Sequence, residues 1–159
     1  MSIGLYPGTF DPITLGHTDI VQRASRIFEK VVVVIAENPS KSCLFSADER
    51  LEFAKVCLQD CPNVEVIKYK GLVITAVEKT GASTIIRGLR ALSDFDYEFQ
   101  MAFTNRQLNK DVETIFFMPS AKYTYLSSSL VRQLSQFGGD IDNFVAPVVA
   151  EALRKKFGK

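Results

Sequence analysis

The sequence predicts an α/β fold: a Rossmann-like parallel five-stranded sheet with helices on both faces. Three observations carry that prediction. Short β-branched apolar runs alternate with segments of helical period along the whole chain. Residues 31–36 are continuously apolar, as suits a strand buried on both faces. The first apolar run passes through a glycine- and proline-rich turn straight into a helix.

Residues 3–6 make the first strand. From His17 onward, Ile20, Val21, Ala24, Ile27 and Phe28 recur at helical spacing, with Gln22, Arg23 and Arg26 off that face. Residues 31–36 are the second strand, followed by a loop over 37–45. Ser46-Ala-Asp-Glu49 reads as a capping box, and its helix runs through Leu51, Ala54, Lys55 and Leu58 until Pro62. The third strand is 64–67, and a helix over 72–80 is closed by Gly81. The fourth strand, 83–86, opens into Arg87-Gly-Leu-Arg90. A long helix over 92–108 carries Leu92, Phe95, Phe99, Ala102 and Phe103 on one face, for a core or an interface. A fifth strand over 114–118 is closed by Pro119. Serines start a helix over 127–137, Gly138-Gly139 follow it, and a last helix spans 143–156. There is no repeat, low-complexity tract or linker, so 1–159 reads as one domain.

Composition excludes several classes. Lys and Arg number 19 against 18 Asp and Glu, so no broad basic face is available to coat a nucleic acid or a membrane. No apolar run is long enough to span a bilayer, and the first residues form a strand rather than a charged-then-apolar signal. Cytoplasmic location is the expectation. Cys43, Cys57 and Cys61 are odd in number and read as packed thiols in a reducing compartment.

In open parallel sheets, ligands bind beyond the carboxyl ends of the strands, near a switch in strand order. The loops after strands one, two, four and five carry Thr9 with His17, Lys41, Arg87 with Arg90, and Ser127 to Ser129. The fold rule alone therefore gathers these groups around one cleft. Gly8 and Gly16, lacking Cβ atoms, let a ligand approach the backbone of the first turn. The helix after it offers free N–H groups and a positive dipole end, which suits a phosphate. His17 is the only histidine, and it sits there; an ordinary cap or a packed ring is its plainer reading. Two arginines leaving an apolar strand need anions, either a ligand phosphate or Asp94, Asp96 or Glu98. Neither G-x-G-x-x-G nor G-x-x-x-x-G-K-[ST] occurs, so the phosphate grip is of another kind.

The block Tyr6-Pro-Gly-Thr-Phe-Asp-Pro-Ile-Thr-Leu-Gly-His17 resembles the signature of the nucleotidyltransferase superfamily that carries a (H/T)xGH motif. Three later blocks narrow the resemblance to the phosphopantetheine adenylyltransferase family. They are Asn38-Pro-Ser-Lys41; Ile86-Arg-Gly-Leu-Arg90 with Asp94-Phe-Asp-Tyr-Glu98; and Tyr125-Leu-Ser-Ser-Ser-Leu-Val-Arg132. The resemblance covers nearly the whole chain in the family's order. It implies transfer of AMP from ATP to 4′-phosphopantetheine, giving dephospho-CoA and pyrophosphate, the penultimate step of coenzyme A synthesis. It implies His17 as transition-state stabiliser, helped by Lys41 and Arg90. It puts Thr9, Phe10, His17, Gly88, Leu89, Arg90 and Glu98 on ATP, with Tyr123, Thr124, Tyr125, Leu126, Ser127, Ser128 and Ser129. It puts Thr9, Lys41, Val73 and Arg87 on phosphopantetheine. No set of carboxylates is spaced to hold a metal tightly, so Mg²⁺ is expected on the ATP phosphates, which fits what the family requires. The resemblance further implies a homohexamer, and coenzyme A as feedback inhibitor in the same cleft.

Two positions depart from the family pattern. Leu15 falls at the motif's variable position, and Arg132 replaces a common Lys, keeping charge but not geometry. The competing readings are a relative with another acceptor, such as nicotinate mononucleotide, and a non-catalytic nucleotide-binding module. A class I aminoacyl-tRNA synthetase core shares the motif, but this chain is too short for a tRNA-binding domain.

Overall fold

The computed structural model describes residues 2–38, 40, 42–90 and 92–158. β1 (Ile3–Gly8), β2 (Lys30–Ala36), β3 (Val64–Tyr69), β4 (Thr84–Gly88) and β5 (Glu113–Phe117) form one parallel sheet in the order β3-β2-β1-β4-β5. The order reverses between β1 and β4, so the switch point lies there. The helices are α1 (Leu15–Ala24), α2 (Ala47–Cys57), α3 (Val73–Thr80), α4 (Leu92–Leu108), α5 (Ser128–Gln136) and α6 (Pro147–Lys156).

Strand alternation divides the core in two. Tyr6 of β1 and Val31, Val33 and Ile35 of β2 join a large cluster with α1, α2, α5 and α6. Leu5, Val32, Val34 and Ile85 point the other way, against Ile74, Ala76 and Val77 of α3. Val31 to Ile35 are all buried, so the apolar run is indeed sandwiched between helical layers.

The expected elements are all present, with displaced ends. β1 runs two residues further, because Pro7 and Gly8 pair with Val34 and Ile35. β3 also gains two residues, β4 is Thr84–Gly88 rather than 83–86, and β5 is Glu113–Phe117 rather than 114–118. α6 starts four residues later than expected, where Pro147 supplies a preset φ in its first turn. A 3₁₀ turn at Ala121–Tyr123 lies in the segment read as a loop. The Ser46–Glu49 capping box forms as read, with Glu49 N–H donating to Ser46 Oγ at 3.1 Å and Ser46 N–H to Glu49 Oε2 at 2.8 Å. Gly81 closes α3 at φ 69°, in the left-handed region that suits glycine. On α4, Phe95, Phe99 and Phe103 are 45%, 47% and 53% exposed, so this face is not core.

Candidate active site

The turn after β1 sets the first wall. Thr14 caps α1, and His17 is the third residue of that helix. The two form a reciprocal box: the Thr14 N–H donates to His17 Nδ1 at 3.0 Å, and the His17 N–H to Thr14 Oγ1 at 3.4 Å. Nδ1 therefore accepts, and this geometry assigns the ring proton to Nε2. Burial, with Arg90 and then Arg87 nearby, pushes the imidazole down to about 4. At neutral pH it is an uncharged donor through Nε2.

Phe10 holds this ring in place. It is buried, stands edge-on to His17 at 5.0 Å and to Tyr6 at 5.4 Å, and adopts φ 48°. A left-handed φ at a bulky residue is costly and persists only when packing enforces it. The expectation for Gly8 changes accordingly. A Cβ on Gly8 would lie 2.8 Å from the Phe10 ring, so Phe10, not a ligand, requires the glycine. A Cβ on Gly16, by contrast, would meet only ordinary contacts from 3.5 Å outward, so close packing does not dictate that glycine.

The end of β4 makes the second wall. Arg87 grips Glu98 through two bonds, Nε to Oε2 at 2.7 Å and Nη2 to Oε1 at 2.5 Å, and donates from Nη1 to the Pro7 carbonyl at 2.9 Å. Burial works against its charge, but the Glu98 hydrogen bonds and charge outweigh it and raise its pKa. Arg90 donates from Nε to Asp94 Oδ2 at 3.2 Å and from Nη1 to the Leu126 carbonyl at 3.2 Å. Both protein-carboxylate readings thus hold, while both arginines still line the cleft. Gly88 allows close packing of α1, since a Cβ there would come within 2.6 Å of Ile20 Cδ1.

The loop before α2 and the start of α5 complete the site. Asp11 is buried and accepts from the Leu44 N–H at 2.8 Å and the Phe45 N–H at 3.0 Å. Arg50, also buried, donates to the carbonyls of Thr9 at 2.6 Å, Ala36 at 3.0 Å and Phe45 at 3.2 Å. Ser127 caps α5 by accepting from the Leu130 N–H at 3.1 Å. The Ser128 hydroxyl donates to the Pro12 carbonyl at 2.8 Å, and Arg132 Nη1 to the Asp11 carbonyl at 2.5 Å. Arg132 therefore has a contact its sequence position left undefined.

These walls enclose a cleft of about 670 Å³. Of the residues singled out in the sequence, Thr9, Phe10, His17, Arg87, Gly88, Arg90 and Glu98 line it. Tyr123, Leu126, Ser127, Ser128 and Ser129 line its far side. Four others lie elsewhere. Leu89 donates its N–H to the Phe117 carbonyl in the sheet extension. The Thr124 hydroxyl is turned to the Ala121 carbonyl, and Tyr125 is exposed against Phe144. Val73 packs on the apolar cluster beneath α3. Lys41 lies outside the described residues. Sequence reasoning passed over Tyr6, Asp11 and Arg50. Asp11 has turn composition around it, and nothing local points to its partners 33 and 34 residues onward.

The cytidylyltransferase-like family model matches residues 5–134. A phosphopantetheine adenylyltransferase from Caldanaerobacter subterraneus subsp. tengcongensis is 52% identical over 159 residues, covering 100% of this chain and 99% of its own. Another of that name, from Methylobacillus flagellatus, is 51% identical over 152 residues, covering 96% of this chain and 95% of its own. A crystal structure from Vibrio parahaemolyticus, provisionally named a nicotinate-nucleotide adenylyltransferase, superimposes with a TM-score of 0.73. It covers 98% of this chain and 93% of its own at 18% identity, a likeness of fold alone.

Proposed function

The chain belongs to the phosphopantetheine adenylyltransferase family, so its reaction is adenylyl transfer to 4′-phosphopantetheine in coenzyme A biosynthesis, and we propose that its cleft performs it by direct in-line attack. The observation that carries this reading is half-identity along the whole chain to proteins of that name. An oxygen of the acceptor phosphate attacks the α-phosphorus of ATP. The bond to pyrophosphate breaks, leaving dephospho-CoA. The attacking phosphate is already ionised near neutral pH, so no general base and no covalent intermediate are needed.

Each part of the cleft has a role in this reading. The neutral His17 donates from Nε2–H to an α-phosphate oxygen, where charge builds in the transition state. Arg90 and Lys41 neutralise the same charge. Ser129 and the free N–H groups at the start of α5 hold the β- and γ-phosphates. Thr9 and Arg87 face the acceptor phosphate. The cleft carboxylates are each engaged, Asp11 by two N–H groups, Glu98 by Arg87 and Asp94 by Arg90. Mg²⁺ therefore enters on the ATP phosphates, as part of the substrate. Residues 1–159 act as one nucleotidyltransferase domain. Among the described residues no helix is long and apolar enough to cross a membrane, which accords with work in the cytoplasm. The exposed phenylalanine ridge on α4 supports assembly into a homohexamer. Coenzyme A, which contains both product halves, is the natural feedback ligand of this cleft.

Pyrophosphate release from ATP and Mg²⁺, with 4′-phosphopantetheine or nicotinate mononucleotide as acceptor, tests the reading. Release occurs only with phosphopantetheine. In His17→Ala, kcat falls about 100- to 1000-fold while substrate binding persists. Release with the other acceptor overturns the acceptor assignment, and unchanged turnover in the variant overturns the role of His17.

A further inference from the structure

We propose that the Tyr6 hydroxyl is a further ligand contact of this cleft, donating a hydrogen bond to a phosphate oxygen of a bound substrate; the proposal rests on the adenylyl-transfer reading above. Tyr6 stands on β1 next to the switch point and is only 5% exposed. A tyrosine buried to that degree ordinarily gives its hydroxyl a partner. Here no protein group among the described residues bonds it. Its ring is fixed by the edge-on contact with Phe10, so the hydroxyl has little freedom to seek one.

The hydroxyl is also not sealed inside. Among the described residues, Ser135 Oγ is the one unpaired side-chain polar atom closed off from solvent. Tyr6 lines the cleft, and its oxygen would lie 3.8 Å from a Cβ placed on Gly88. The oxygen therefore opens into the cleft beside the end of β4, where Arg87 and Arg90 emerge.

The surrounding charge selects the ligand. Arg87 and Arg90 act on the Tyr6 oxygen, with Glu98 opposing them. Glu98 is already taken by Arg87. The hydroxyl thus faces a site suited to an anion. Burial raises the phenol well above the usual tyrosine range, so it remains a donor at neutral pH. A donor that shares a cleft with two arginines fits a phosphate oxygen, and a bond to a charged group is among the stronger hydrogen bonds.

Tyr6→Phe removes one oxygen and keeps the ring packed against Phe10. Calorimetry with ATP·Mg²⁺ and, separately, with 4′-phosphopantetheine would be paired with steady-state kinetics and thermal melting. The expected result is an unchanged melting temperature and a kcat/KM lower by about 10- to 100-fold. Weakening confined to ATP makes the donor's partner an ATP phosphate; weakening confined to the acceptor makes it the acceptor phosphate. Unchanged kinetics and binding beside an active wild type overturn the Tyr6 contact alone, leaving a ring that only packs. A loss of melting temperature with binding intact overturns it too. A wild type that binds neither ligand overturns both this contact and the reading beneath it.

Discussion

His17 does two jobs with one ring, and each constrains the other. Its Nδ1 must stay unprotonated to accept from the Thr14 N–H, which leaves Nε2–H for a ligand. Protonation would break the first and is resisted by burial and by Arg90 and Arg87. The linkage has a definite sign. Unfolded, the ring titrates near 6.5; folded, near 4, so between those values the unfolded chain binds more protons. The contribution is complete above pH 6.5 and disappears as pH falls toward 4. Urea unfolding at pH 7 and pH 5 should therefore show a larger loss in the wild type than in His17→Ala. Equal losses would mean that the ring titrates normally. The histidine was legible in sequence as the only one in the chain, set where the first turn enters a helix, although its pairing with Thr14 appears only in the folded turn. The partner of Arg87 was not: Asp94, Asp96 and Glu98 all lie within reach in sequence, and only the folded α4 selects Glu98.

Among the elements, α2 carries the least visible part of the site. Its Arg50 ties the carbonyls of Thr9, Ala36 and Phe45, so one buried guanidinium fixes the ends of β1 and β2 and the start of α2. Arg50→Met would leave three carbonyls without that donor, that of Phe45 buried and those of Thr9 and Ala36 partly buried. We expect a loss of about 2–4 kcal/mol in urea unfolding, and a raised KM for the acceptor at temperatures where the variant is folded. A loss below about 0.5 kcal/mol would show that water replaces the guanidinium without cost. In sequence Arg50 is an unremarkable charge in a helix, because its role is set by carbonyls 5, 14 and 41 residues away. The Ser46–Glu49 capping box was readable for the opposite reason, being local, as its two bonds between residues three apart show. Strand ends were misjudged where proline or glycine looked like punctuation; Pro7 still pairs within β1.

For the molecule as a whole, the sheet was readable and the outer surface was not. Alternating apolar runs specify a parallel sheet whatever surrounds it, whereas a phenylalanine row on α4 fits a core and an interface equally well. Phe95 and Phe99 stack at 5.4 Å, Phe99 and Phe103 meet at 4.6 Å, and all three are substantially exposed. Placing a charge in that row, Phe99→Glu, should give smaller species in sedimentation velocity while the far-ultraviolet circular dichroism is kept. A wild type sedimenting as a monomer would remove the assembly. The strand order has a temporal consequence as well. Chain synthesis delivers β1, β2 and β3 first, and these neighbours can associate at once. The bond from Arg87 to Pro7, however, joins residues 80 positions apart, and the cap of α5 comes later still. A nascent chain therefore holds three of the five strands, with an exposed β1 edge, before the cleft is complete.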